Sequence, residues 1–364
     1  MPPPNVVLDA RLTRQMSVGM RTYVRELAAR LPRVAPDIGF IAITNVDLRA
    51  SNLEVIPIST STASNFSFGE QLALPMLMRG RGSICHYMSI YAPRISTLPY
   101  IYTIHDLIHR RFPEYHSWKI PPFYRFVAKP VANGARAVIT DACATLPDLQ
   151  TYLHVASERV RVVPLGVGES FVVDEARRAT RSLAARERFG LHAPYVLYAG
   201  NHRKHKNLET LFDAWSRLDR PCDLVLTEDG PFDFSTDRYV SRNGRIVPVG
   251  HVDEELLVSL YAGCAAAVQP SSYEGFGLSV LEGMAAGSPV VVAQTPALLE
   301  VAGDAALTFP LHDAAALTAQ LERTLAGGPA IDELRARGRK RAAEYTWDRT
   351  ARMTADVYRE AMHL

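Results

Sequence analysis

At 364 residues the chain is too long for one ordinary hydrophobic core and suits two domains of about 150 to 200 residues each. Its 48% hydrophobic and 21% charged residues, with a mean hydropathy of −0.03, exclude both a disordered chain and a membrane bundle. A formal net charge of +2 is too balanced to argue for nucleic acid. Cys85, Cys143, Cys222 and Cys264 are scattered, with no C-x-x-C pair and no zinc spacing. They read as four reduced core thiols of a cytoplasmic protein. Met1-Pro2-Pro3-Pro4 lacks the basic and apolar regions of a secretory signal, and no apolar run is long enough to span a bilayer. Export is therefore not expected, and the Asn65-Phe66-Ser67 sequon reads as chance.

Taken in order, Asn5 to Asp9 predicts a short buried strand, and the spacing of Val18, Tyr23, Val24, Leu27 and Leu31 predicts a helix. Gly19 lies at the turn between them, where backbone can approach a diphosphate. Strands follow at 40–43 and 54–58, then a helix over 69–78 whose Leu72, Leu74, Met76, Leu77 and Met78 read as core. The apolar run 99–104 predicts a strand that delivers His105-Asp106 at its carboxyl end, where ligands bind in open α/β sheets. By residue type alone, a histidine there serves structure about as often as it binds a ligand. Residues 110–112 and 118–129 interleave aromatics with cations. Two readings stand: acceptor docking or adsorption to an anionic membrane surface, and an amphipathic helix with solvated charges. Strands at 137–140 and 160–167 complete a first sheet. The chain then turns polar and Arg-rich, so a linker is expected over 171–193, between domains at 1–170 and 194–346.

Tyr195 to Gly200 starts the second domain, and the loop Asn201 to Asn207 crowds in His202, Arg203, Lys204, His205 and Lys206. At a strand's carboxyl end beside a helix start, these groups would face a diphosphate whose charge grows as a sugar departs. Strands at 223–227 and 245–252 and a helix over 253–262 come next. The run 265–268 then enters Gln269-Pro270-Ser271-Ser272-Tyr273-Glu274-Gly275-Phe276-Gly277-Leu278-Ser279-Val280-Leu281-Glu282. Glu274 to Gly277 is a flexible turn, and a helix opens near Leu278. Its first N–H groups lack intrahelical partners, so the amides of Phe276, Gly277, Leu278 and Ser279 suit a phosphate. Glu274 precedes that site, and Glu282 lies on the same helix face as Leu278. Carboxylates accept paired hydrogen bonds from vicinal hydroxyls, so the set suits a nucleotide sugar. Two terminal helices, over 330–345 and 348–362, end the chain. No Asp-x-Asp pair occurs, so the usual carboxylate grip on a divalent metal is missing and no metal is expected. A phosphate loop of the ATPase type is also absent from the sequence.

These motifs resemble those of the retaining glycosyltransferases of family 4, with the two-domain fold called GT-B. The resemblance spans most of the chain and is strongest from 195 to 306. Residues 269–282 match the family's E-x7-E block. Gly19 to Tyr23 is similar to its G-x-x-x-Y segment, His105-Asp106 to its HD segment, 164–167 to P-x-G-V, and Lys206-Asn207 to KN. The resemblance implies an α/β fold of two Rossmann-like doubly wound parallel-sheet domains facing a central cleft. The first would bind the acceptor and the second the nucleotide sugar, and a helix at about 347–364 would pack back on the first.

It further implies a metal-independent, retaining transfer of a hexose, with the nucleoside diphosphate sugar as co-substrate and no separate cofactor. His105 would lie at the donor sugar and acceptor hydroxyl, with Asp106 orienting it or reaching the acceptor. Lys206 and Arg203 would meet the departing diphosphate, Gly19 a phosphate, Glu274 the sugar hydroxyls and Glu282 the ribose. His251 and Val252 would hold the base by backbone contacts. The acid at Glu274 binds sugar in this family, so the two carboxylates do not make a hydrolase. Two departures stand out: Asn201 replaces the arginine many relatives carry after the strand, and Ser17-Val18 a second glycine. The expected partners are a nucleotide sugar and a glycan or lipid-linked acceptor, without nucleic acid, and with peripheral contact at the inner membrane surface left open. The loop at 200–207 is similar to that of bacterial mannosyltransferases of surface polysaccharide or lipid-linked oligosaccharide synthesis, which favours GDP-mannose. A UDP-hexose-dependent transferase and a nucleotide-sugar epimerase of the same fold are the alternatives.

Overall fold

The computed structural model describes residues 4–12, 16–48, 52–58, 68–115, 118–228, 232, 234–236, 239 and 244–363. Residues 1–3 and the Asn65 sequon lie outside them. The chain divides into two compact units, one of Met1–Gly166 with Trp347–Leu364 and one of Val167–Thr346.

The first unit is built on seven parallel strands: β1 (Asn5–Asp9), β2 (Gly39–Thr44), β3 (Leu53–Pro57), β4 (Ile84–Tyr87), β5 (Tyr100–Thr103), β6 (Ala137–Thr140) and β7 (Val160–Val162). Their order is β3-β2-β1-β4-β5-β6-β7, so the winding reverses between β1 and β4. Parallel strands covered by helices on both faces need near-continuous apolar runs, and Val6, Val7, Leu8, Val138 and Ile139 are fully buried. β4 went unread in the sequence because His86 interrupts it and Gly80 and Gly82 flank it. The imidazole is nonetheless buried, with Nδ1 2.8 Å from the Tyr358 hydroxyl and Nε2 2.7 Å from that of Thr103. Burial pushes its pKa down to about 3, so the ring is neutral. Gly82 is required by space: a Cβ there would sit 2.7 Å from the Asn5 carbonyl oxygen.

The helix Val18–Val34 is capped by Ser17, whose Oγ accepts from the Met20 amide at 3.3 Å, and buries Tyr23, Val24, Leu27 and Leu31. The terminal helix Trp347–His363 belongs to this unit, through buried Ala351, Ala355 and Tyr358 and an Arg359–Asp37 ion pair at 2.7 Å.

On the other face, the Phe68–Met78 helix departs from expectation. Leu74 and Met78 are core, but Leu72 is 62% exposed and Met76 74%. A helix that is apolar all round can bury only the stripe facing the sheet. Residues 120–134 are helical with a π turn at Tyr124–Ala128, closed by the Lys129 amide on the Tyr124 carbonyl. Pro130 has no N–H to continue the ordinary ladder there. Trp118 and Phe126 stand out from this segment, 80% and 62% exposed, with Lys119 over the first ring and Arg125 over the second.

The second unit has β8 (Tyr195–Tyr198), β9 (Asp223–Thr227), β10 (Ile246–Gly250), β11 (Ala266–Gln269), β12 (Val290–Ala293) and β13 (Leu307–Phe309), all parallel in the order β10-β9-β8-β11-β12-β13. The winding reverses between β8 and β11. The stretch expected as a linker is largely a helix, Glu175–Phe189, capped by the Asp174 carboxylate on the Arg177 amide and by Gly190 at φ +59°. It hid in the sequence because only Ala185 is buried; Arg178 Nε ties it to the Ala262 carbonyl at 3.0 Å. Of the four cysteines, Cys143 is exposed, against expectation. The other three are buried, and burial pushes the thiols of Cys85, Cys222 and Cys264 up to about 12, 12 and 11. Among the described residues no helix is long and apolar enough to cross a membrane.

Candidate functional site

Where the winding of an open α/β sheet reverses, the loops leaving two neighbouring strands part and open a crevice beyond their carboxyl ends. In the second unit those are the loops after β8 and β11, and hydrogen bonds join them along their length. The Ser272 amide and hydroxyl both donate to the His205 carbonyl, at 2.8 and 2.9 Å. Asn207 Nδ2 donates to the Pro270 carbonyl at 3.0 Å, while its Oδ1 accepts from the Thr210 hydroxyl at 2.8 Å. Asn207 has φ +54°, the left-handed turn that starts the Leu208–Ser216 helix. The KN pair thus has a local reason: asparagine makes the turn and ties the loops, which aims Lys206 inward.

Lys206 Nζ donates to Glu274 Oε1 at 2.7 Å. The same oxygen accepts from Gln269 Nε2 at 2.6 Å and from the Ser271 hydroxyl at 2.7 Å. Oε2 has no protein partner among the described residues. Burial would raise the Glu274 pKa, but the Lys206 charge and the donors on Oε1 outweigh it and hold the carboxyl below its ordinary value. Gln269 and Ser271 are both buried. Their role was not read from the sequence, although both lie within five residues of Glu274.

Beyond them the Leu278–Ala285 helix begins at Gly277, whose φ of +113° and close neighbour Leu298 Cδ2, 3.1 Å from where a Cβ would sit, both favour glycine. Phe276 is buried edge-on against Tyr345, with ring centroids 6.0 Å apart, which fixes the turn in front of the first helical amides. Glu282 lies on this helix and accepts from the Tyr261 hydroxyl on Oε2 at 3.3 Å. Burial pushes its pKa up to about 7, with the Tyr261 bond opposing and the Glu254 charge adding. A small cavity lined by Ala199, Tyr261, Gln269 and Ser279 lies at the same junction. Arg203 is exposed on the β8 loop, and its guanidinium has no partner among the described residues. His251 and Val252 follow β10 at the edge of the sheet, two strands from β8. The structure therefore joins Lys206 to Glu274 directly, places the 276–279 turn next along the chain and Glu282 on the helix that follows, and leaves His251 exposed at the margin.

In the first unit, Gly19 is in the first turn of its helix rather than in a tight loop, and a Cβ there would meet nothing within 4 Å. His105 is buried at the end of β5. Its Nδ1 is 2.8 Å from Asp141 Oδ2, its Nε2 3.3 Å from the Met88 carbonyl, and the Tyr23 ring packs edge-on at 4.6 Å. Burial lowers its pKa, but the charge and hydrogen bond of Asp141, then Asp106 and the Met88 carbonyl, together raise it above the ordinary value. Asp106 does not orient the ring: its Oδ1 caps the next turn through the Ile108 amide at 3.0 Å. The orienting carboxylate is Asp141. It follows the apolar strand 137–140 as His105 follows 99–104, so the same strand-end rule would have found it. At the end of β1, Arg11 Nη2 and Asp9 Oδ2 are likewise closed on each other at 2.7 Å. Among the described residues no three His, Cys, Asp or Glu side chains gather as metal ligands.

Most of the chain matches two known families. Residues 18–171 match a family described as "Glycosyltransferase Family 4", and residues 193–327 one described as "Glycosyl transferases group 1". The chain is similar to the O-antigen chain mannosyltransferase B of Escherichia coli, 27% identical over 267 residues, which cover 71% of this chain and 69% of that one. It is also similar to the MMP alpha-(1->4)-mannosyltransferase of Mycolicibacterium hassiacum, 32% identical over 260 residues, covering 67% and 60% of the two chains. The sucrose-phosphate synthase of Thermosynechococcus elongatus shares the fold, with a TM-score of 0.77 over 98% of each chain at 21% identity.

Proposed function

The chain belongs to the family 4 glycosyltransferases, and from that premise we propose that it moves a mannosyl group from GDP-mannose to a hydroxyl of a glycan or lipid-linked acceptor, with retention at the anomeric carbon and without a metal. The observation that carries the reading is the Lys206–Glu274 contact, held between the joined loops of β8 and β11 in front of the Leu278–Ala285 helix. It supports the reading because a cation and a carboxylate with one oxygen to spare precede a helix start, and cation, carboxylate and helix amides are the chemistry a sugar diphosphate needs.

In this reading Glu274 Oε2 accepts the hexose hydroxyls, Glu282 the ribose hydroxyls, and the amides of Phe276, Gly277, Leu278 and Ser279 hold the diphosphate. Lys206 keeps two further ammonium hydrogens for the diphosphate, and Arg203 adds the second cation. As the bond from the anomeric carbon to the phosphate oxygen breaks, charge builds on that oxygen, and these fixed donors stabilise it. The acceptor oxygen bonds to the same face of the carbon, and its proton passes to the departing phosphate. His105 and Asp106 are assigned to the acceptor half, and the exposed Leu72, Met76, Trp118 and Phe126 with Lys119 and Arg125 support a lipid-linked acceptor at an anionic membrane surface.

GDP-mannose is favoured because the two sequence relatives above are both named mannosyltransferases. The test is the melting temperature of the chain with GDP-mannose, UDP-glucose and ADP-glucose, each with magnesium and with EDTA, since a ligand that binds only the native state raises it. A shift with GDP-mannose that survives EDTA is expected. A shift with UDP-glucose alone transfers the reading to a UDP-hexose, and one that EDTA removes ends the metal-free mechanism.

A further inference from the structure

In the buried surroundings of His105, both ring nitrogens face acceptors. Nδ1 points at the Asp141 carboxylate, 2.8 Å away, and Nε2 at the Met88 carbonyl, 3.3 Å away. A carbonyl has no hydrogen to give, so Nε2 must carry a proton to make its bond. A carboxylate at hydrogen-bond distance from the other nitrogen is the natural partner of a second proton. The remaining groups around the ring agree. Tyr23, from the Val18–Val34 helix, presents its ring edge-on, and its hydroxyl is bound instead to Thr103 at 3.1 Å. His86, on β4, is kept neutral by burial and so adds no competing cation. Asp106, on the loop after β5, adds negative charge that favours the imidazolium.

We infer that Asp141 and His105 form a positioning pair, a buried carboxylate–imidazolium whose Nε2–H holds the Met88 carbonyl and so ties the ends of β4, β5 and β6 together. This deepens the transferase reading and rests on it where it concerns turnover: His105 shapes the acceptor half and is not the base that takes the acceptor proton. No lone pair is left for that, since one nitrogen is spent on Asp141 and the other on Met88. The pair's contribution to stability has a definite sign. A histidine whose folded pKa is raised stabilises fully below its ordinary value of 6.5, and the stabilisation is lost as pH rises through the folded value.

The direct test is nitrogen NMR of the whole chain labelled in its histidine rings, with His105→Gln identifying the resonance. Near neutral pH both nitrogens of His105 should be protonated, and in Asp141→Asn one should lose its proton. Asp141→Glu, which keeps the carboxylate, should restore the second proton in part. One unprotonated His105 nitrogen in the unaltered chain near neutral pH overturns the inference, whether or not any variant folds. This readout needs neither donor nor acceptor, so it stands apart from the success of the mannosyl assay. In that assay kcat should fall on the alkaline side, and Asp141→Asn should move the fall to lower pH with donor KM unchanged. A loss of kcat on acidification through the histidine range would instead make His105 a base and sink the inference.

Discussion

The two sheets of this chain treat their strand ends in opposite ways. At β8 and β11 the loops are joined by backbone and asparagine bonds, and their charged groups leave something over: Glu274 Oε2, two hydrogens of Lys206, the guanidinium of Arg203 and the amides before Leu278. In the first unit two pairs of charged groups close on each other at strand ends, Asp9 on Arg11 and Asp141 Oδ2 on His105, while Asp141 Oδ1 is buried without a partner among the described residues. A preorganised ligand site needs fixed groups with unused bonding capacity, and the second unit gathers several of them on two joined loops.

The sharpest way to break this contrast is to remove the groups held in reserve. Glu274→Ala and Lys206→Ala should each lower kcat by about 10²–10³-fold, because each removes a charge fixed against the reacting centre. Near-normal turnover in either would mean that the junction of β8 and β11 is not where the sugar diphosphate reacts. The joining bonds come next. Asn207→Ala frees the buried Pro270 carbonyl and the Thr210 hydroxyl and should cost about 1–3 kcal/mol in urea unfolding, with a rise in donor KM. A stable variant with an unchanged KM would show the loops are held some other way.

Glu282 sharpens the same point through pH. With its pKa at about 7, it becomes a full acceptor of ribose hydroxyls only as pH rises through that value, so donor KM should fall over the same range. Glu282→Gln should flatten the profile. The sign for stability is opposite: a carboxyl raised from 4.5 to about 7 stabilises at low pH, and that is lost as pH climbs between those values. Glu282→Gln should therefore melt higher than the parent above pH 7 and little differently well below it. The smallest effect belongs to the first unit's exposed apolar side chains. Leu72→Ser, Met76→Ser and Trp118→Ser should each change stability by less than about 0.5 kcal/mol, yet together weaken sedimentation with anionic vesicles. A large loss of stability would show that this face is packed after all.

Much of the second unit was legible in the sequence because its signals are local. Glu274, Gly277 and Glu282 sit within nine residues, and strand, turn and helix follow each other without interruption. Lys206-Asn207 is far from them in sequence, and the two loops were connected by the strand-end rule, which turns both toward a diphosphate, and by the family resemblance. The first unit was harder to read. β4 is broken by His86, whose polarity is absorbed by Tyr358 from the far end of the chain and by Thr103, partners no local window contains. Within the second unit the exception is the Glu175–Phe189 helix, which buries a single alanine, so its periodicity is faint. Leu72 and Met76 were assigned to the core because hydrophobicity says that a residue can be buried and not which face meets the sheet. Asp141 was overlooked for lack of a motif, although its position after an apolar strand is the same cue that picked out His105.

Whether the joined loops of β8 and β11 form the donor site is tested most directly by a crystal structure of the chain with GDP-mannose. The diphosphate is expected on the amides of residues 276–279 beside Lys206, with a hexose hydroxyl on Glu274 Oε2 and the Lys206–Glu274 contact retained. A nucleotide sugar bound elsewhere, with Glu274 Oε2 still facing solvent, would contradict it.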